Sequence, residues 1–349
     1  MKKNRWQLWL GIVISVAALA LALLGIDPRQ VAQNLTGARY GYLIPAAVAL
    51  LAYDVARSFR WRLLLGPEVS LARCFWITNI GYLVSNILPL RLGDPARAVA
   101  IGLEGKVKVS AALSTVVVER VLDMLMVVLL LLISMPFVAR AGLLWSVGVL
   151  AGLVALIVLA TMVLVALRPE WVRSFARWVL ARISRLNADR WLGMLDGLLD
   201  GLAALRSPRR FAETLIWSVV TWVFVVGFYW SMLWMFRDRP PLVQGSFLTC
   251  GIGLGMALPS APGAVGVFHS AAEYALHLPF GIAKEEAFTI AFVSHAFQYA
   301  FSCILGLIGL AQLGLSLRQL RADASAAAVG AAATAKAVTS VEAVAEESE

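Results

Sequence analysis

Charge is scarce in this chain: only 15% of its 349 residues are Asp, Glu, Lys or Arg, while 60% are apolar. A folded domain surrounded by water needs a more polar surface than that, so hydrocarbon must stand in as solvent for much of the exterior. Acidic residues are the scarcer kind, 21 against 30 basic ones, for a net charge of +9. Such an excess would suit nucleic acid, but the basic residues gather between apolar runs and build no folded basic domain. Membrane topology accounts for them, and no nucleic-acid partner is expected.

Cysteine is almost missing. Cys74, Cys250 and Cys303 sit far apart inside apolar segments, without ligand spacing or a pairing pattern, and read as small core residues. Also absent are a G-x-x-x-x-G-K-[ST] loop, a G-x-G-x-x-G fingerprint, the H-E-x-x-H of zinc hydrolases and a paired-carboxylate soluble module. Nucleotide-driven chemistry has no foothold, and no cofactor is expected. The first apolar run, about 7–25, follows Lys2, Lys3 and Arg5 as a signal peptide would, yet no small-x-small cleavage site precedes Asp27-Pro28. It reads as a retained span.

What abounds is apolar sequence of bilayer length. Runs near 7–25, 40–64, 110–135, 141–167, 211–236 and 286–315 predict six full spans. Two further stretches, 74–90 and 242–259, run into Pro89 and Gly93 and into Pro259, Pro262 and Gly263, which no straight helix passes. The expected fold is all-α, a polytopic membrane protein with six full spans and two re-entrant or broken helical hairpins. Under that layout 23 Lys and Arg fall on one side and six on the other, with Arg120 inside a span. The bias predicts a multi-pass protein of the bacterial inner membrane with both termini in the cytoplasm.

Residues 1–322 form one transmembrane domain in this reading, with halves near 7–135 and 141–315 and a cytoplasmic insert at 168–210. In the insert, Trp171, Phe175 and Trp178 recur at helical spacing opposite Arg173, Arg177 and Arg182. That pattern fits a helix lying on anionic lipid, or one packed on the bundle. Residues 323–349 are Ala-rich, end in Glu and Ser, and are expected to be disordered.

The two broken segments share a motif. Leu88-Pro89-x-x-x-Gly93 returns as Leu258-Pro259-x-x-x-Gly263, an offset that carries the span at 40–64 onto 210–234 and the span at 110–135 onto 280–305. Three full spans per half would insert the second half upside down. Inverted repeats with discontinuous helices build sites near the bilayer midplane, where a helix start presents N–H groups and partial positive charge to a phosphate or carboxylate.

Charges retained in hydrocarbon are candidates for function. Around the first break stand Asn79, Asn86, Arg91, Asp94 and Arg97, with Arg91 and Arg97 suited to a lipid phosphate or to a place at the cytoplasmic edge. Glu119, Arg120 and Asp123 fall near the centre of the third span, as head-group or proton-coupling groups or as a structural salt bridge. Asp54, Arg57 and Arg60 step along the second span and are read as structural partners for Glu119 or as snorkelling groups. His269, Glu273 and His277 follow the second break at i, i+4 spacing and suit a polar cavity or plain helix packing better than a metal. His295 and Gln298 are expected to line the same cavity. The candidate substrate-binding residues are therefore Asn86, Arg91, Asp94, Arg97, Glu119, Arg120, Asp123, Pro259, Gly263, His269 and Glu273, with no catalytic residue and no metal ligand assigned.

Asn86-x-x-Pro89-x-Arg91-x-Gly93-Asp94-x-x-Arg97, Glu119-Arg120-x-x-Asp123 and Leu258-Pro259-x-x-Pro262-Gly263-x-x-Gly266-x-Phe268 together resemble the lysylphosphatidylglycerol synthase transmembrane-region family, over about residues 7–315. The family commonly carries Glu where this chain has Asp94, and Glu where it has His269; Glu273, one turn later, is the available substitute. The resemblance implies a stand-alone flippase-like membrane domain without the synthase domain, transporter-like in character, with enzyme activity left open. It would move or handle a polar-headed envelope lipid. The alternatives are a membrane-embedded lipid-modifying transferase and an accessory subunit of an envelope-lipid pathway. Membrane lipids, anionic phospholipid or another polar-headed lipid, are the implied partners, with a homo-oligomer or an envelope-pathway protein left open.

Overall fold

The computed structural model describes residues 5–87, 92–103, 105, 107–138, 142–181, 188–257 and 261–316, with the side chains of 5–12, 142–145 and 188–190 outside that description. Every regular element among the described residues is helical. In chain order these are α1 (Arg5–Leu23), α2 (Pro28–Thr36), α3 (Leu43–Leu65), α4 (Leu71–Ile87), α5 (Gly93–Gly102), α6 (Val109–Ser134) and α7 (Gly142–Leu167). There follow α8 (Pro169–Leu180), α9 (Ala188–Gly201), α10 (Pro208–Phe236), α11 (Leu242–Gly255), α12 (Val267–Phe280) and α13 (Lys284–Leu313). The terminal segment 323–349 lies outside the described residues.

Local chemistry sets the ends of these helices. Asp27 caps α2 by accepting from the Arg29 N–H at 2.9 Å, and Pro28 occupies the first helical position, where its missing N–H costs nothing. The same device, Ser207 followed by Pro208, opens α10. Gly281 and Gly314 end α12 and α13 in the left-handed conformation that a residue without Cβ adopts freely.

Each predicted run coincides with a helix. Among the described residues four segments are long and apolar enough to cross a bilayer by length and composition: Tyr40–Leu65, Ser146–Leu167, Pro208–Phe236 and Lys284–Leu313. A fifth exists if α1 and α2, bent by 80° at Asp27-Pro28, make one broken span. The helix α6 has the length, 26 residues, but carries Glu119, Arg120 and Asp123 in its middle. Apolar faces point outward, as Ile44, Leu150, Ile157, Ile216 and Ile304 do on four different helices, so the chain is a multi-pass membrane protein.

Helices α3 and α10 run antiparallel. Tyr42 stacks on Trp234 at one end (5.7 Å), Phe59 stacks on Trp217 at the other (4.5 Å), and Ala49 faces Gly227 between them. Around this pair, α4 packs on α13 and α11 packs on α6, while α4–α5 and α5–α6 neighbours on one side have α11–α12 and α12–α13 neighbours on the other. One apolar core joins α3, α10, α11, α12 and α13 through Leu50, Phe228, Met232, Leu248, Leu276 and Ile290. A second joins α3, α4, α5, α6 and α13 through Trp61, Ile77, Ile80, Ile101 and Ala112.

Candidate functional site

A cavity of about 530 Å³ opens between the two sets of helices. Tyr53, near the middle of α3, lies on its wall, which places the cavity near half-height of the bundle. One side is charged, with Asp54 and Arg57 from α3, Asp94 and Arg97 from α5, and Arg120 and Asp123 from α6. The opposite side is neutral and polar, carrying Asn86, Tyr229, Thr249, His295, Gln298 and Tyr299.

An ion-pair network ties the charged wall together. Glu119, fully buried, is clamped by Arg97 Nη2 at 2.5 Å and Arg60 Nη2 at 3.3 Å. Asp123 takes Arg60 Nη1 at 2.8 Å, Arg57 Nη1 at 3.5 Å and Arg120 Nη1 at 3.6 Å, and accepts the Trp222 indole N–H at 3.3 Å. Asp94 holds Arg120 Nε at 3.1 Å and stands 3.8 Å from Arg97 Nη1. Arg97 also lies 4.1 Å from the Trp61 ring, whose N–H donates to Thr115 at 3.0 Å. Charges withdrawn from water at this depth persist because Asp94, Glu119 and Asp123 each have at least two guanidinium partners.

The two breaks meet at α13. Asn86, at the end of α4, donates to Ser302 Oγ at 2.9 Å, and Tyr299 donates to the Asn86 carbonyl at 3.5 Å. His295 lies 2.8 Å from the Gly263 carbonyl with its ring stacked on Phe268 (4.5 Å). Gly263 has a φ of +68°, and a Cβ there would stand 3.0 Å from Tyr299, so the close approach at this turn needs glycine. The first span guards the same break: Ser15 on α1 accepts the Ala261 N–H at 2.7 Å, and Ser270 donates to the Ala18 carbonyl at 2.5 Å.

Six of the eleven sequence-based site residues line the cavity: Asn86, Asp94, Arg97, Arg120, Asp123 and Gly263. Arg91 and Pro259 lie outside the described residues. Glu119 is sealed behind the wall, between Arg60 and Arg97. His269 and Glu273 turn elsewhere. His269 sits among Phe288, Phe292 and His295 with Nδ1 accepting the Gly266 N–H at 3.3 Å, while Glu273 stands 4.0 Å from Lys284 Nζ. No group of three His, Cys, Asp or Glu suited to a metal occurs among the described residues. An acidic residue, Asp94, already stands in the first turn of α5, and His269 takes the Gly266 N–H at the start of α12.

Sequence reasoning passed over Tyr53, Arg57, Tyr82 and Trp222. Arg57, read from its spacing as structural or snorkelling, is 3% exposed and lines the cavity. The available signal was its place four residues from Tyr53 on one helix face.

The family described as "Lysylphosphatidylglycerol synthase TM region" matches residues 8–306. A curated relative, "Glycosyltransferase AglD" of Haloferax volcanii, is 24% identical over 342 residues, covering 88% of this chain and 54% of its own length. The chain thus spans about half the length of the curated relative it matches. No solved structure matches.

Proposed function

The chain belongs to the lysylphosphatidylglycerol synthase TM region family, and we propose that it carries a polar-headed lipid between the leaflets of the bacterial inner membrane. The head group enters the central cavity while the acyl chains stay in the bilayer, and the two halves rock about the α3–α10 contact.

The observation that carries this reading is a polar cavity at half-height beside an antiparallel helix pair. The antiparallel run of α3 and α10, with ring stacks at both ends, supports an inverted relation between the two halves. With α6 counted as a span, because its charges are neutralised inside the bundle, and α1 crossing ahead of its bend, six spans and two broken hairpins result. Both termini then lie in the cytoplasm. Arg57, Arg60 and Arg97 belong to the bundle interior and not to loops; removing these three leaves the basic bias pointing the same way. The candidate residues divide by location: Asn86, Asp94, Arg97, Arg120, Asp123 and Gly263 meet the head group, and Glu119 holds Arg97 in place. Arg91 and Pro259 belong to the two breaks, and His269 and Glu273 stabilise the α12–α13 pair.

Reconstitution of the full chain in vesicles with labelled phospholipid in one leaflet tests the proposal. Transfer faster than in empty vesicles is expected, and no transfer across a panel of anionic, zwitterionic and glycosylated lipids would overturn it. The name of the Haloferax relative supports a second reading, in which the cavity presents a lipid-linked sugar for transfer. Lipid mass spectrometry separates the two, since carriage changes leaflet and transfer changes mass.

A further inference from the structure

Three buried arginines at or just behind the cavity's charged side, Arg57, Arg60 and Arg97, hold more N–H groups than the described residues supply acceptors for. Among the described residues, Nε and Nη2 of Arg57, Nε of Arg60, and Nε and Nη1 of Arg97 have no hydrogen-bond partner. A buried donor left unpaired is costly, and native proteins retain few of them. Arg57 differs from the other two. Arg60 is held by two carboxylates, and Arg97 by a carboxylate and an indole face. Arg57 makes one contact to Asp123 at 3.5 Å, donates to the neutral Tyr53 hydroxyl at 3.0 Å, and lies 5.7 Å from the Tyr82 ring. The unsatisfied pair on Arg57, Nε and Nη2, closed to solvent in this conformation, is one edge of the guanidinium fork, whose parallel N–H groups match two oxygens of one oxyanion once the cavity opens to it.

We infer that Arg57 is the phosphate anchor of the cavity and that the lipid handled there is a phosphodiester-headed phospholipid, bound with two of its phosphate oxygens on the Arg57 Nε/Nη2 edge. This rests on the carrier reading and sharpens its cargo. The other candidate anion sites are weaker: the start of α5 carries Asp94 in its first turn, the Gly266 N–H of α12 is taken by His269, and Arg97 is committed to Glu119. Arg120, half exposed and held by Asp94 and Asp123, supplies a second positive charge on the approach. Tyr53 fixes the guanidinium from one side, and its hydroxyl stands 3.2 Å from that of Tyr82. Asp54 lies on the same wall one turn before Arg57. Asp54 makes no ion pair among the described residues; the paired carboxylates Asp94, Glu119 and Asp123 face four guanidinium groups (Arg57, Arg60, Arg97, Arg120), an excess of one positive charge that favours a head group of single negative charge over a multiply charged one.

The test is direct lipid binding by the purified full chain in detergent, read by native mass spectrometry. The probes are phosphatidylglycerol, diacylglycerol with the same acyl chains, and soluble glycerophosphoglycerol. The wild type should bind phosphatidylglycerol over diacylglycerol, and Arg57→Gln should lose about tenfold of that preference while binding diacylglycerol unchanged. A purely structural role for Arg57 would weaken both lipids together. Arg57→Lys keeps the charge beside Asp123 but not the fork and should fall between the two. Preference intact in Arg57→Gln, or in Arg57→Lys if Arg57→Gln does not fold, overturns the inference, as does a wild type indifferent to the phosphate. Binding of glycerophosphoglycerol as tight as that of phosphatidylglycerol would assign the site to a free solute and overturn the lipid part. If vesicles show no lipid transfer but the preference and its loss are seen, the anchor stands and carriage falls; transfer by a chain without the preference gives the reverse.

Discussion

Arg97 Nη2 lies 2.5 Å from Glu119 Oε2 with both side chains sealed from solvent, joining α5 at the first break to the middle of α6. Glu119 also holds Arg60 of α3, so one carboxylate fastens three helices. Glu119→Gln would leave Arg97 facing a neutral amide in place of its carboxylate, and breaking a buried ion pair in this way costs about 3–5 kcal/mol. A large fall in the midpoint of thermal unfolding in detergent is expected, together with lost transport. Replacing both partners by apolar groups, Arg97→Met with Glu119→Leu, should recover part of that stability, because no buried charge is then stranded. A Glu119→Gln chain as stable as the wild type would show that the clamp carries no structural load.

The angle of α5 depends on Gly93. A Cβ at that position would sit 2.0 Å from the Gly81 carbonyl and 2.1 Å from Ser85 Oγ, so α5 must move away from α4 to admit it. Gly93→Ala should destabilise by about 1–3 kcal/mol, the usual cost of overpacking. It should also shift Arg97 and reduce lipid transfer more than its effect on stability explains. Gly193, exposed on α9 with open space around it, is the control. There Ala should stabilise by roughly 0.5–1 kcal/mol, because helical glycine loses more chain entropy on folding.

The elements were legible in the sequence because bilayer-length apolar runs and Pro-Gly interruptions are strong one-dimensional signals. Among the described residues α5 begins anew at Gly93, α11 ends at Gly255, and Gly263 turns ahead of α12, while Pro89 and Pro259 themselves lie outside the described residues. Side-chain roles were less legible. Spacing puts His269, Glu273 and His277 on one face of α12 but does not say what covers that face. The structure distributes them: His269 lies against Phe288 and His295, Glu273 faces Lys284, and His277 Nδ1 stands 2.6 Å from the Ile282 carbonyl. Arg57 and Arg60 look equivalent at i, i+3 spacing. Only the packing of α6 and α10 against α3 gives Arg60 two carboxylates and leaves Arg57 with donors to spare.

Opposite ends of α10 should lie on opposite sides of the membrane. Asp238, just beyond the α10 C-terminus, has its side chain 93% exposed, and Arg209, in the first turn, 89%. Single cysteines at these positions, in a chain whose Cys303 is replaced, should react differently with a membrane-impermeant maleimide. Asp238→Cys is expected to label on intact cells, and Arg209→Cys only after the membrane is opened. Labelling of both from outside would contradict the orientation drawn from the basic bias.

The aromatic face of α8 gives a prediction independent of the cavity. This helix begins two residues after α7 ends, so it emerges at the membrane surface. Trp171, Phe175 and Trp178 remain exposed, while Arg173 turns to α9 and pairs with Asp196 at 2.7 Å. Arg168 lies over the Trp171 ring at 5.6 Å and adds positive charge beside the apolar stripe. A helix so built sinks its rings to the acyl boundary and keeps its arginines at the phosphates. An environment-sensitive dye on Phe175→Cys should therefore emit at shorter wavelength in vesicles containing phosphatidylglycerol than in neutral vesicles, and the difference should shrink in high salt. Emission equal in both and indifferent to salt would place this face against protein, with α8 an ordinary packed helix of the insert.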